Sequence, residues 1–307
     1  MEFRQIQYFV CLCEEGSVTR AAKRLNIVQP ALSMQIAKLE EEVGQPLFVR
    51  STQGMQPTPE GRHMYRLFLP ILADYARARD EVMQARGELV GQVRVGMIAT
   101  IAAGVTVDAL LEFTPRHPKV SVSVTDGFSG TLADAVAGGQ LDAAVINKPR
   151  RPLALNTEPI AEEDMLLVTG LQHEPLEPDV SLRRMAELRL VLPTRQHGLR
   201  GIIESFAHAE DVQLAPMVEI DSISALLTLV EHSGFATLLP QVAVRRQLQE
   251  GSLRGHAVGS PRLTRQIVCL THPRRPLSPA AAAFLAVLMQ HVRGLGQEVG
   301  RLPGVPP

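Results

Sequence analysis

Ser17-Val18-Thr19-Arg20-Ala21-Ala22-Lys23-Arg24-Leu25-Asn26-Ile27-Val28-Gln29-Pro30-Ala31-Leu32-Ser33-Met34-Gln35-Ile36-Ala37-Lys38-Leu39-Glu40-Glu41-Glu42-Val43 is the stretch on which the reading turns. Ser17 is a good N-cap, and Val18, Ala21, Ala22 and Leu25 share one face of a short helix. Asn26 tolerates the left-handed backbone of a tight turn. Pro30 suits the first turn of a longer helix, where its missing N–H costs nothing. Leu32, Ile36, Leu39 and Val43 then fall on one side of a 3.6-residue wheel and face a core. Pro30, Ser33, Met34, Ala37 and Glu41 fall on the other side, with Gln29 at the start. Two helices across a tight turn, the second presenting amide and small groups at its N-terminal end, form a helix-turn-helix that fits a major groove. Gln29 and Ser33 can bond base edges, and Met34 and Ala37 can touch thymine methyls. Arg20, Lys23 and Arg24 are placed to hold phosphates.

On its N-terminal side, Phe3, Ile6, Val10 and Cys13 predict an amphipathic first helix ended by Gly16. On the other side, Pro46-Leu47-Phe48-Val49-Arg50 runs through Ser51-Thr52-Gln53-Gly54 into Met55-Gln56-Pro57. This reads as a short hairpin, a wing that brings Arg50 and Thr52 to the DNA backbone or minor groove. Thr58-Pro59-Glu60 starts a long helix. In it Met64, Phe68, Ile71, Tyr75, Ala78, Val82, Ala85 and Leu89 keep an a/d heptad pattern. A second copy of the chain is the simplest partner for that seam. Pro70 is expected to kink the helix, off the seam.

The global numbers are neutral on this reading. The chain has 307 residues, a formal net charge of −1, 45% hydrophobic and 21% charged residues. That is long enough for two or more folding units and gives no basic balance in favour of nucleic acid. No apolar run approaches the ~18 residues of a membrane span, and Met1–Gln5 lacks a signal-peptide pattern, so a cytoplasmic protein with no membrane partner is expected. Three cysteines are too few for a disulfide framework, and Cys13 and Cys269 read as buried thiols.

From Gln92 onward strands and helices alternate. Val93–Met97, Val120–Val124 and Leu141–Ile146 read as strands, separated by helices carrying Val107, Leu110, Leu111 and Phe113, then Leu132, Ala135 and Val136. A second unit has strands at Met165–Val168, Leu190–Leu192, Met217–Ile220 and Phe235–Pro240, with helices near Ile202–His208 and Ser222–His232. The strand Ile267–Leu270 and the helix Ser278–Val292 return to the first unit. This alternation predicts parallel sheet covered by helices, in two lobes with a cleft between them. Ligands of such sheets bind at the strand C-terminal ends, where helix N-termini offer free N–H groups. The loops there place Thr100, Ile101, Ser129, Gly130, Asn147, Arg195 and His197 as candidates for a small organic acid or other anion. No G-x-S-x-G, H-E-x-x-H or P-loop pattern occurs, and nothing calls for a cofactor or a metal. Catalysis is not expected, and a solute-binding protein with a helical extension is the main alternative, disfavoured by the missing signal peptide and the intact head.

The head resembles the winged helix-turn-helix of the LysR-type transcriptional regulators. The residues that carry this are Phe3–Phe9, Gly16-Ser17, Ala21–Leu25, Gln29–Ser33, Gln35-Ile36, Leu39-Glu40, Leu47–Arg50 and Thr58–Gly61. Gly91–Gly96, Phe113–Pro118, Gly139–Ala144 and Gly234–Pro240 resemble the same family's effector domain. Gly91–Gly96, Ala135–Ala144 and Glu219–Ile223 look most like its nitrogen assimilation control branch. The resemblance implies an α + α/β fold. A winged helix-turn-helix (1–58) and a long dimerisation helix (59–89) would precede a two-lobed module of periplasmic-binding-protein type. Lobe I would be 90–161 with 265–295, lobe II 162–264, and 296–307 a disordered tail. It implies a recognition helix at Gln29–Val43, with Arg20, Lys23, Arg24, Gln29, Pro30, Ala31, Ser33, Met34, Ala37, Arg50 and Thr52 toward DNA. Thr100 and Ser129 match family positions that contact effectors, and Met64, Phe68, Ile71, Tyr75 and Val82 match the dimerisation seam. Double-stranded promoter DNA, RNA polymerase, a small effector and further copies of the chain, as dimer or tetramer, are the implied partners. Val28 and Met34 depart from the polar residues common at those positions.

Overall fold

A computed structural model of the chain describes residues 1–51, 54–83, 88–177, 179–259 and 262–297. It divides into two compact units, the first ending near the close of the long helix. That unit contains α1 (Phe3–Glu15), α2 (Val18–Arg24), α3 (Gln29–Val43), β1 (Phe48–Ser51), β2 (Gly54–Pro57) and α4 (Pro59–Met83). Ser17 caps α2, Asn26 takes φ 55° in the turn, and Gly16 and Gly44 end α1 and α3 in the left-handed conformation. The core holds Phe9, Leu12, Ala21, Leu32, Ile36, Leu39 and Leu47.

The face of α1 differs from expectation. Phe9, Val10, Cys11 and Leu12 are buried with Gln5, whereas Phe3, Ile6 and Cys13 are only half-buried. The reason is that α1 packs on α2, α3 and α4 together, so it buries a broad band instead of one stripe. Cys11, not Cys13, is the fully covered thiol of the pair. Burial nonetheless pushes Cys13 up to about 12, as it does Cys269, so both are thiols at neutral pH.

The seam of α4 also divides. Phe68 is buried against Phe9, ring centroids 6.0 Å apart, and Met64 packs on the same core. Tyr75 stacks beside Phe3 at 4.4 Å but is 51% exposed, and Ile71 and Val82 are 47% and 77% exposed. Phe68, expected on a partner, thus belongs to the head's own core. Leu89 lies beyond α4 and packs on the second unit's core, and Ala85 falls outside the described residues.

The second unit runs β3 (Gly91–Met97), α5 (Ala99–Arg116), β4 (Val120–Asp126), α6 (Ser129–Ala137), β5 (Ala143–Asn147), β6 (Asn156–Gly170), β7 (Asp179–Val180), α7 (Leu182–Ala186), β8 (Val191–Leu192), α8 (Gly198–Ala209), β9 (Val218–Glu219), α9 (Ile223–Glu231), β10 (Ala236–Pro240), α10 (Gln241–Glu250), β11 (Leu253–Val258), β12 (Thr264–Thr271) and α11 (Pro279–Gln297). Strands β4-β3-β5 are parallel, as the alternation predicts. Beyond them β12 pairs antiparallel with both β5 and β6. The far half of β6 pairs antiparallel with β10 and β11, so the second part of the unit is mixed sheet, not parallel. A 15-residue β6 replaces the short strand expected at Met165–Val168. Its first four residues, Asn156–Pro159, are all exposed, and Glu158, Glu162, Glu163 and Asp164 carry charge, which hid this half from a hydrophobic reading.

Two apolar cores lie along this sheet, both in the second unit. One gathers Val95, Ile101, Val145, Leu270 and Phe284, the other Leu167, Leu192, Ile203, Leu226 and Leu238. On α5 the buried face is Ile101, Val105, Ala109 and Phe113, while Val107 and Leu111 are 65% and 69% exposed, contrary to the expected face. α11 continues to Gln297, past the expected start of the tail, and 298–307 lie outside the described residues. No helix among the described residues is long and apolar enough to cross a membrane.

Candidate nucleic-acid interface and ligand cleft

On α3 the exposed residues are Gln29, Pro30, Ser33, Met34, Ala37, Lys38, Glu41 and Glu42, while Ala31 is half-buried. Val28 precedes them without a side-chain cap and is 68% exposed, and Met34 is 63% exposed. The Thr19 hydroxyl donates to Gln29 Oε1 at 3.3 Å, leaving Nε2 without a partner among the described residues. Arg24 pairs with Glu14 at 2.6 Å and Glu15 at 3.1 Å, and Arg20 pairs with Glu15 at 3.6 Å. These two cations are drawn toward the end of α1. Lys23 and Lys38 are exposed with no ion pair among the described residues, and Lys38 was missed by reasoning from the apolar stripe alone.

The wing is fastened at three points. Glu40 Oε1 accepts the backbone N–H groups of Leu47 (2.7 Å) and Phe48 (3.1 Å), fixing the strand that leaves α3. Thr58 accepts the N–H of Gly61 at 3.0 Å as the cap of α4, and its hydroxyl donates to Pro46 O at 2.9 Å. At the wing's return the N–H of Met55 donates to Gly16 O at 2.9 Å. Arg50 is exposed on β1, and Thr52 falls outside the described residues.

In the second unit the start of α5, the end of β5 and strands β6 and β12 converge on a buried polar group. Arg265 is fully enclosed and donates to Glu163 Oε2 from Nε (2.9 Å) and Nη2 (2.7 Å). Its Nη1 donates to Thr100 Oγ1 at 2.8 Å and to Asn147 Oδ1 at 3.4 Å. Asn147 Nδ2 and Ser129 Oγ are buried with no hydrogen-bond partner among the described residues. The start of α8 comes against both: a β-carbon on Gly198 would lie 3.1 Å from Ser129 Oγ and 3.4 Å from Asn147 Nδ2. His197 Nδ1 accepts the N–H of Leu199 at 3.2 Å, and its ring meets Phe128 edge-on. Burial pushes the His197 pKa down, with Asp221 opposing and Arg265 assisting.

Thr100, Ser129, Asn147 and His197 are therefore brought together, and Gly130 begins the same helix as Ser129. Two candidates are not. Ile101 is wholly inside the apolar core, because the N-terminal turn of α5 points that side chain at the sheet. Arg195 is 80% exposed and pairs with Glu204 at 3.4 Å, away from the buried group. Glu163 and Arg265 went unread in the sequence. The available signal was Arg265 on the strand face of Ile267 and Cys269, two residues apart each time.

A winged helix-turn-helix unit followed by a two-core α/β unit with a buried polar cluster is the architecture of a DNA-binding transcription regulator. The comparisons agree. Residues 3–62 match the family of bacterial regulatory helix-turn-helix proteins, lysR family, and residues 86–293 match the LysR substrate binding domain. The chain belongs to the LysR family and is a DNA-binding transcriptional regulator, not an enzyme. It is 31% identical to the nitrogen assimilation regulatory protein of Klebsiella aerogenes, over 95% of both chains. Among solved structures it resembles a full-length cysteine-to-aspartate variant of OxyR from Pseudomonas aeruginosa, with TM-score 0.76, 23% identity and 95% of both chains covered. It also resembles full-length CbnR complexed with its target DNA, with TM-score 0.56, 22% identity and coverage of 95% of this chain and 99% of that one.

Proposed function

We propose that dimers or tetramers of this regulator bind pseudo-palindromic promoter DNA through α3, and that a small organic or anionic effector in the cleft alters that binding. The observation that carries the first part is the exposed row Gln29, Pro30, Ser33, Met34 and Ala37 on a helix whose opposite side is locked into the core. Lys23 and Lys38 contribute phosphate contacts, with Arg20 and Arg24 as further cations once released from Glu14 and Glu15, and Arg50 serves the wing. The exposed part of the α4 seam, Ile71, Tyr75 and Val82, takes the second copy. Residues 1–58, 59–89 and 90–295 then act as reader, dimerisation helix and sensor. The protein works in the cytoplasm, beside RNA polymerase. For the effector, the support is a pair of buried atoms without a hydrogen-bond partner among the described residues: Ser129 Oγ at the start of α6 and Asn147 Nδ2 at the end of β5, both facing the first residue of α8.

A footprint of the purified full chain on the DNA upstream of its own gene tests the first part. Protection of two half-sites about one helical turn apart, at nanomolar protein, is expected. It is lost in Ser33→Arg, which places a bulky cation on the groove face and leaves the second unit intact. No protection with a folded protein refutes the reading.

A further inference from the structure

Arg265 heads the large side chains that are completely buried, and it is a permanent cation. Such a group persists only where an anion meets it. Here the anion is Glu163, 4% exposed, and its two oxygens do different work. Oε2 receives both Nε and Nη2 of the guanidinium. Oε1 accepts the backbone N–H of Val242 at 2.8 Å, in the first turn of α10, a helix that has no side-chain cap of its own. A guanidinium and a helix N-terminus aimed at one carboxylate are the parts of an anion site. The seat is complete, and its occupant is supplied from within the chain.

We propose that Arg265 and the N-terminus of α10 form a carboxylate-binding site whose resident ligand is the chain's own Glu163, and that a small free monocarboxylate takes the same seat when the Glu163 carboxylate is removed. Arg265 is then a positioning residue, not an effector ligand. A guanidinium only donates, so Asn147 must turn Oδ1 toward it. That orientation leaves Asn147 Nδ2 on the side of Ser129 and Gly198. Glu163 also joins elements from both sides of the unit: β12 and α5 through Arg265, and α10 directly.

Chemical rescue of the full chain tests this. Glu163→Ala removes a fragment of the size of acetate. The variant should melt on the order of 10 °C lower, the cost of leaving a buried charge unpaired in a unit of this size. Tens of millimolar sodium acetate should restore at least half of that loss, and sodium chloride at the same ionic strength should not. Adding Arg265→Met to Glu163→Ala should abolish the acetate response. Should Glu163→Ala not accumulate folded, its refolding yield from urea reads the same point, rising with acetate and not with chloride. Equal responses to the two salts, no response to acetate, or an acetate response that survives the loss of Arg265 overturns the assignment.

Discussion

Gly54 in the wing lies so close to Gly16 that a β-carbon built on it would stand 2.4 Å from the Gly16 carbonyl oxygen. The same carbonyl accepts the N–H of Met55, so the wing is tied to the turn between α1 and α2. Gly54 also has φ 115°, which side-chain-bearing residues rarely adopt. Gly54→Ala should therefore push the wing off its anchor. A cost of about 1–3 kcal/mol follows from the backbone conformation alone. If the wing contributes to operator affinity, gel-shift titration should show a loss of roughly 5- to 150-fold, with the second unit's unfolding unchanged.

Glu40 acts on the other strand of the same wing. Removing its carboxylate strands two backbone N–H groups, those of Leu47 and Phe48. Glu40→Ala should destabilise the head by about 1–3 kcal/mol per unmet donor, less whatever water replaces. Glu40→Gln keeps an oxygen acceptor and should retain most of the stability. Urea unfolding of the two variants, followed by hydrogen exchange at Leu47 and Phe48, separates them.

The seam of α4 predicts two kinds of variant. Ile71→Glu and Val82→Glu alter exposed positions and should shift the protein toward monomer in analytical ultracentrifugation while each head stays folded. Phe68→Ala should act differently. It opens a cavity beside Phe9 and should cost the head about 3–5 kcal/mol, visible in thermal unfolding at any protein concentration. A Phe68 variant that merely dissociates would contradict its place in the core.

Two buried histidines give the second unit a pH dependence. Burial lowers the pKa of His197, and likewise of His256, whose Nε2 lies 3.1 Å from Thr169 Oγ1. The unfolded chain therefore binds protons that the native state resists. Stability is full above the unfolded value of about 6.5 and declines as pH falls below it toward the lower native values. Melting temperature should drop between about pH 7 and pH 5. His197→Gln or His256→Gln should flatten the slope in that range, provided carboxylate titration is matched by comparison with the parent chain.

The helix-turn-helix was legible because it is local. Capping at Ser17, a left-handed turn at Asn26 and the stripe Leu32–Ile36–Leu39 are decided within a few residues, and the structure keeps each of them. The parallel strands β3, β4 and β5 were legible for the same reason, since a buried strand announces itself by its side-chain pattern. The face of α1, the exposure of Val107 and Leu111 and the burial of Phe68 were not, because each depends on which neighbours cover a helix from the side.

The kind of molecule is readable along the chain: a helix-turn-helix head, a long helix and an alternating α/β unit are all written in short-range periodicity and caps. What makes up the buried polar group of the second unit depends on tertiary contacts alone. Glu163 and Arg265 are 102 residues apart in the chain, and each looks like an ordinary charge on a strand. They become a buried pair because β6 and β12 run side by side and enclose them, and a charge removed from water must find its partner wherever the fold delivers one.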